Sequence, residues 1–165
     1  MKRLVLILSL IFLSFPTDGM AQATATFTAS VNIIQPIGIT NTANMNFANL
    51  DAKSGGSVIL GPDNTRSCQG GVELADGNTV SAATFEVTGQ VGYTYSITLP
   101  KSEYVLTNGT DDIIIRDFTS SLKDEGALAL GSQTLNVGAS LDINPNQTPG
   151  NYTSPSGFNI TVNYN

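Results

Sequence analysis

The chain has 165 residues, 41% of them apolar and only 12% charged, with one Cys, no His and no Trp. Without His there is no Ser–His or Cys–His catalytic pair and no His-ligated zinc site, and a single Cys forms no intramolecular disulfide. Seven basic against thirteen acidic residues give a net charge of −6, which argues against a surface built to neutralise nucleic-acid phosphates.

The first segment reads as an export signal. Lys2 and Arg3 precede the run Leu4-Val5-Leu6-Ile7-Leu8-Ser9-Leu10-Ile11-Phe12-Leu13, and Pro16 follows. Ala21 and Ala23 place small residues at the two positions a signal peptidase reads. The apolar run is shorter than the ~20 residues of a membrane span. The expectation is a secretory signal over residues 1–23 and one domain over 24–165. That domain has no transmembrane segment and resides in the periplasm, at the cell surface or outside the cell.

From residue 24 onward the dominant signal is alternation with a period of two. Ala25, Phe27, Ala29, Val31 and Ile33 alternate with Thr26, Thr28, Ser30 and Asn32. The same pattern recurs over Ala83–Val87, Tyr93–Leu99, Leu135–Ile143 and Phe158–Tyr164. Successive side chains of an extended chain point to opposite faces, so each stretch offers one apolar face to a core. Shorter candidates are Met45–Leu50, Ser57–Leu60, Val72–Leu74, Tyr104–Leu106 and Ile113–Phe118. Ile113-Ile114-Ile115 has the look of a strand buried on both faces. Turn chemistry separates the stretches at Gly55-Gly56, Gly61-Pro62-Asp63-Asn64, Asp76-Gly77-Asn78, Asn108-Gly109 and Thr148-Pro149-Gly150. No window carries a helical stripe. Ser120–Leu130 comes nearest, and Gly126 interrupts it. Short strands with regular turns predict an antiparallel β-sandwich.

The order of several motifs resembles a known family. They are Gly56-Ser57-Val58, Gly61-Pro62-Asp63-Asn64-Thr65-Arg66-Ser67, Gly70-Gly71-Val72 and Ala83-x-Phe85-x-Val87-x-Gly89. Gly92-x-Thr94-Tyr95-x-Ile97-x-Leu99-Pro100, Leu135-x-Val137-Gly138-Ala139-x-Leu141, Gly150-x-Tyr152 and Phe158-x-Ile160-x-Val162-x-Tyr164 follow. Together they are similar to a secreted bacterial family catalogued as domain of unknown function 4402, which has no assigned activity. That layout in turn looks like the pilins of chaperone–usher pathways and the spore-coat-U type domains. The features behind this second likeness are the alternating strand after the cleavage site, Met45-x-Phe47, and the bare C-terminal strand with Tyr164 as its penultimate residue. The chain departs from the pilin pattern in that Cys68 has no disulfide partner. The resemblance implies an immunoglobulin-like, pilin-like sandwich.

Two functions follow as expectations. The first is a structural or adhesive surface subunit of a Gram-negative bacterium that assembles with like subunits by strand exchange. Phe27, Ala29, Val31 and Ile33 form the donated face, although the same alternation equally serves the domain's own first strand. Phe158, Ile160, Val162 and Tyr164 form either a core edge strand or the handle of a periplasmic chaperone. The second is a monomeric binding module for a glycan or protein, with Tyr104 and Tyr152 as stacking candidates. Tyr93 and Tyr95 share an apolar face and read as core, as does Cys68. Asp63 and Arg66 read as a local turn closure, and Asp111-Asp112 as a solvated turn rather than a calcium loop. No catalytic residue, cofactor or metal is expected, and an enzyme is not the reading favoured here.

Overall fold

A computed structural model describes residues 19–75, 77 and 79–165. The expected signal run therefore lies outside the described residues, apart from its last five positions. The chain divides after Ile33 into two units.

In the first unit, residues 19–33 carry no regular secondary structure, and every one of them is exposed. Phe27, Val31 and Ile33 are 92%, 86% and 89% exposed. The strand expected over 25–33 forms no ladder. Alternation records which side chains a strand would bury, but it does not supply the neighbouring edge that a strand's N–H and C=O groups need.

Among the described residues of the second unit, from Ile34 onward, there are twelve strands and no helix. They are β1 (Gly38–Ala43), β2 (Leu50–Asp51), β3 (Gly56–Leu60), β4 (Arg66–Gly70), β5 (Glu73–Leu74) and β6 (Ala83–Thr88). The rest are β7 (Thr94–Thr98), β8 (Tyr104–Thr107), β9 (Asp112–Ser120), β10 (Glu125–Ala127), β11 (Ser132–Ile143) and β12 (Thr161–Tyr164). All pairings are antiparallel. The large sheet has seven strands, running β1-β6-β11-β3-β4 with β9 and β8 on the other side of β11. A small sheet runs β10-β7-β12, and β2 pairs with β5. The architecture is an all-β, antiparallel, sandwich-like arrangement.

β11 is the hub. Ser132–Val137 pair with β6 and Ala139–Ile143 with β3 along one edge, and Val137–Asp142 pair with β9 along the other. Gly138 sits where the first edge passes from β6 to β3. A Cβ there would lie 2.0 Å from the Leu60 carbonyl oxygen, so only glycine lets both strands share this edge.

The core falls into two clusters. One gathers Val58, Leu60, Ile113, Ile115 and Leu141 under β3, β9 and β11. The other gathers Val87, Tyr95, Leu128, Leu135 and Val162 between the two sheets. Among the described residues no polar or charged side chain is buried. Cys68 corrects the expectation of a buried thiol, because it is exposed on β4, the outermost strand beyond β3. Four of that strand's five residues are exposed, so no second layer covers it.

Replacing Gly138 by Ala is expected to lower unfolding stability by about 1–3 kcal/mol, the range for forcing a methyl into a filled site. A thermal or denaturant melt unchanged from the wild type would contradict the assigned role of Gly138.

Candidate functional site

Seven strands cannot be covered by three, and the part of the large sheet beyond the small one, where Phe85, Leu106 and Phe118 are only half-buried, forms the floor of a cleft. The cleft has a volume of about 1220 Å³. Its floor carries Phe85 from β6, Leu106 from β8, Val137 from β11, and Ile113, Ile115 and Phe118 from β9. One wall is the 44–53 segment with Met45 and Phe47, and the other is the crossover between β11 and β12 with Phe158 and Ile160. Met45 and Phe118 pack against both core clusters. Met45, Phe85, Leu99, Leu106, Phe118, Phe158 and Ile160 remain only half-buried, as they would where a core lacks one row of side chains. Asn41, Asn44, Asn46, Asn49, Asn146 and Asn151 rim the opening.

Phe118 reaches the floor through a bulge. The β9–β11 register shifts between Gly138 and Ser140, and Asp117 takes a φ of 52°. One extra residue reverses the alternation, so Phe118 faces the same side as Ile113 and Ile115. Asp is among the residues that tolerate this conformation. On the outer face the Arg116 guanidinium donates to both carboxylate oxygens of Asp142 and also pairs with Asp117. The Asp142 hydrogen bond, with the charges of Asp142 and Asp117, raises the Arg116 pKa. Ile114, expected to be buried, is half-buried on this outer face.

Arg66 shapes the 44–53 wall. Its guanidinium donates to the carbonyl oxygens of Phe47, Asn49 (2.9 Å) and Ala75 (3.1 Å). Ala48 between the first two has a φ of 57°, and its N–H donates to Asn46 Oδ1 at 2.9 Å. Asp63 stays local, accepting from the N–H and hydroxyl of Thr65, whose hydroxyl bond is the main cause of its lowered pKa. The pairing of Asp63 with Arg66 in one turn is thus replaced by two separate roles.

The crossover wall has its own ties. The Thr148 N–H and hydroxyl donate to Asp111 Oδ2, the Tyr152 hydroxyl donates to the Thr148 carbonyl at 2.7 Å, and Thr107 and Thr153 form a bridge. Tyr104 packs edge-on against Phe118 and Phe158, with centroids at 6.0 and 5.2 Å. Both tyrosines offered as sugar platforms are therefore engaged and half-buried.

The C-terminal stretch is divided. Only Thr161–Tyr164 pair with β7, Val162 is buried, and Phe158 and Ile160 precede the strand in the cleft. β12 and β1 are each the last strand of their sheet, with one partner apiece. Phe158 and Ile160 thus come together at one cleft, while Phe27, Ala29, Val31 and Ile33 lie exposed in the first unit. Alternation and turn chemistry alone do not mark Arg66 as a clamp or Phe118 as floor. The only signal for the latter was a break in parity between Ile115 and Phe118.

Fold and cleft together define an antiparallel β module with a groove of apolar floor and polar rim, and with unpaired edge strands. The family model described as Domain of unknown function (DUF4402) matches residues 37–164, and the chain belongs to that family. No curated protein and no solved structure matches the chain. Among the described residues no helix is long and apolar enough to cross a membrane.

Asp117→Val is expected to destabilise the protein by about 1–2 kcal/mol more than Asp117→Gly, because both lose the Arg116 contact but only Val resists a positive φ. Equal melting of the two variants would contradict the assigned bulge.

Proposed function

We propose that this protein is an exported surface subunit that assembles with its own kind by strand insertion. The segment around Phe27, Ala29, Val31 and Ile33 of one copy enters the cleft of the next, as an immunoglobulin-like, pilin-like module of a Gram-negative cell surface would. The role is structural or adhesive rather than enzymatic. One pairing of observations carries this reading: an exposed apolar row with a period of two, and a cleft whose half-buried lining lacks such a row.

Phe27 to Ile33 spans about 20 Å when extended. Insertion into a sheet-edge cleft gives main-chain hydrogen bonds for affinity and side-chain seats for specificity. Residues 19–34 contain no charged side chain, so the joint forms through apolar burial and is nearly independent of ionic strength. The unpaired outer edge of β12, with Phe158 and Ile160 beside it, is also the surface a periplasmic chaperone would hold before assembly.

Light scattering of residues 24–165 under reducing conditions tests the proposal. The wild type is expected to form concentration-dependent oligomers. Phe27→Ala and Val31→Ala are each expected to weaken association about ten-fold or more while leaving the subunit's melting point unchanged, since both side chains are exposed in the subunit. Oligomers unaffected by either change, or a strictly monomeric wild type, would contradict it. The second result would favour a monomeric binding module, for which the asparagine rim suits glycan hydroxyls. A glycan array would then be the discriminating assay.

A further inference from the structure

We infer that the Tyr164 hydroxyl is the register stop for the inserted strand, a positioning residue whose role rests on the strand-insertion reading above. The need for a stop comes from the donor sequence. Ala25, Phe27, Ala29, Val31 and Ile33 repeat every second residue, with Thr, Ser or Asn between them. A slip of one residue would turn the apolar face outward, but a slip of two keeps it inward. Alternation therefore fixes the face and leaves the register open.

Tyr164 supplies a fixed end. Its hydroxyl donates to the Gln35 carbonyl oxygen at 2.8 Å and accepts from the Gln90 N–H at 2.6 Å. The Gln35 N–H in turn donates to Gln90 Oε1 at 3.1 Å. The three residues form a closed ring of bonds. Gln35 lies just before β1, Gln90 just after β6, and Tyr164 ends β12, so the ring ties the large sheet to the small one. The Tyr164 ring packs edge-on against Tyr93 at 5.4 Å. At Gly89 an added Cβ would lie 2.2 Å from the Tyr164 oxygen, so the neighbouring residue is the one that leaves room for the hydroxyl.

The position of this ring matters. β1 starts beside it, with Gly38 paired to Thr88, and β12 ends at it, with Tyr164 paired to Tyr95. The cleft lining lies away from it, at Asn41 on β1, Phe85 on β6 and Ile160 just before β12. Buried Val87 and Val162 fill the interior between. The seam between the two edge strands is thus bolted at one end and open at the other. An inserted strand advances until it meets the bolted end.

Disulfide trapping in residues 24–165 tests this. In a Cys68→Ser background, Thr161→Cys on β12 is combined in turn with Thr26→Cys, Thr28→Cys, Ser30→Cys or Asn32→Cys. Without further changes, one arm position is expected to dominate the intermolecular cross-links. Adding Tyr164→Phe, which keeps the ring and removes the hydroxyl, is expected to spread the cross-links over positions two residues apart. The preference of the dominant pair should fall about five-fold or more, about five-fold being the factor for each of the two hydrogen bonds lost. If Tyr164→Phe melts early, the cross-linking is run below its melting temperature, where the same spread is expected. One unchanged dominant pair in the folded variant overturns the stop and leaves strand insertion standing. An absence of intermolecular cross-links in all four wild-type combinations overturns both.

Discussion

The backbone of β11 has to satisfy three neighbours at once, and most of the molecule follows from that. Twelve residues long, it gives one edge to β6 and β3 in succession and the other to β9. The hand-over at Gly138 works because no side chain stands between β11 and the Leu60 carbonyl. The large sheet built around this strand is wider than the three-stranded sheet opposite. A sheet face that carries Ile113, Ile115, Val137 and Leu141 needs cover, and where the small sheet does not reach, Met45, Leu50, Tyr152 and Phe158 from the flanking segments pack against it. The cleft is the geometric remainder. Its floor is apolar because the sequence supplies a core face there, its rim is polar, and Phe85, Leu106 and Phe118 stay half-buried because no strand completes the floor.

Local features keep the remainder open and ordered. The Asp117 bulge turns Phe118 inward, where it touches both core clusters. Arg66 holds the carbonyls on either side of Ala48, a residue in an unfavourable conformation that persists because its neighbours fix it. Asp111 and Tyr152 tie down the opposite wall. These polar ties spare the core, which among the described residues contains no buried polar side chain. A cleft shaped in this way is largely preformed, so the proposed incoming strand would meet seats that already exist.

The sequence made the strand content legible and left its arrangement unread. Ala83–Val87, Tyr93–Leu99 and Leu135–Ile143 stand out because each has one face in the core, and they correspond to β6, β7 and β11. Gly38–Ala43, Arg66–Gly70 and Glu125–Ala127 escaped notice. The first two lie at sheet edges with largely exposed side chains, and the third is only three residues long. Ala25–Ile33 shows the converse: its pattern is among the cleanest in the chain, yet it joins no ladder in the structure. Periodicity reports a face that can be buried and says nothing of which molecule buries it. Cys68 misled for a related reason, since residue type predicts average burial and an outermost strand has no second layer. The cleft could not be read at all, because it depends on the relative widths of two sheets.

Hydrogen–deuterium exchange with peptide-level readout, on residues 24–165 at low and high protein concentration, tests the central claim most directly. If one copy's arm completes the next copy's cleft, concentration will bring new amide protection to residues 25–33 together with the edge strands 38–43 and 161–164, and little change elsewhere. Protection that is the same at both concentrations, or that rises at β4 and β8 while residues 25–33 stay open, would contradict it.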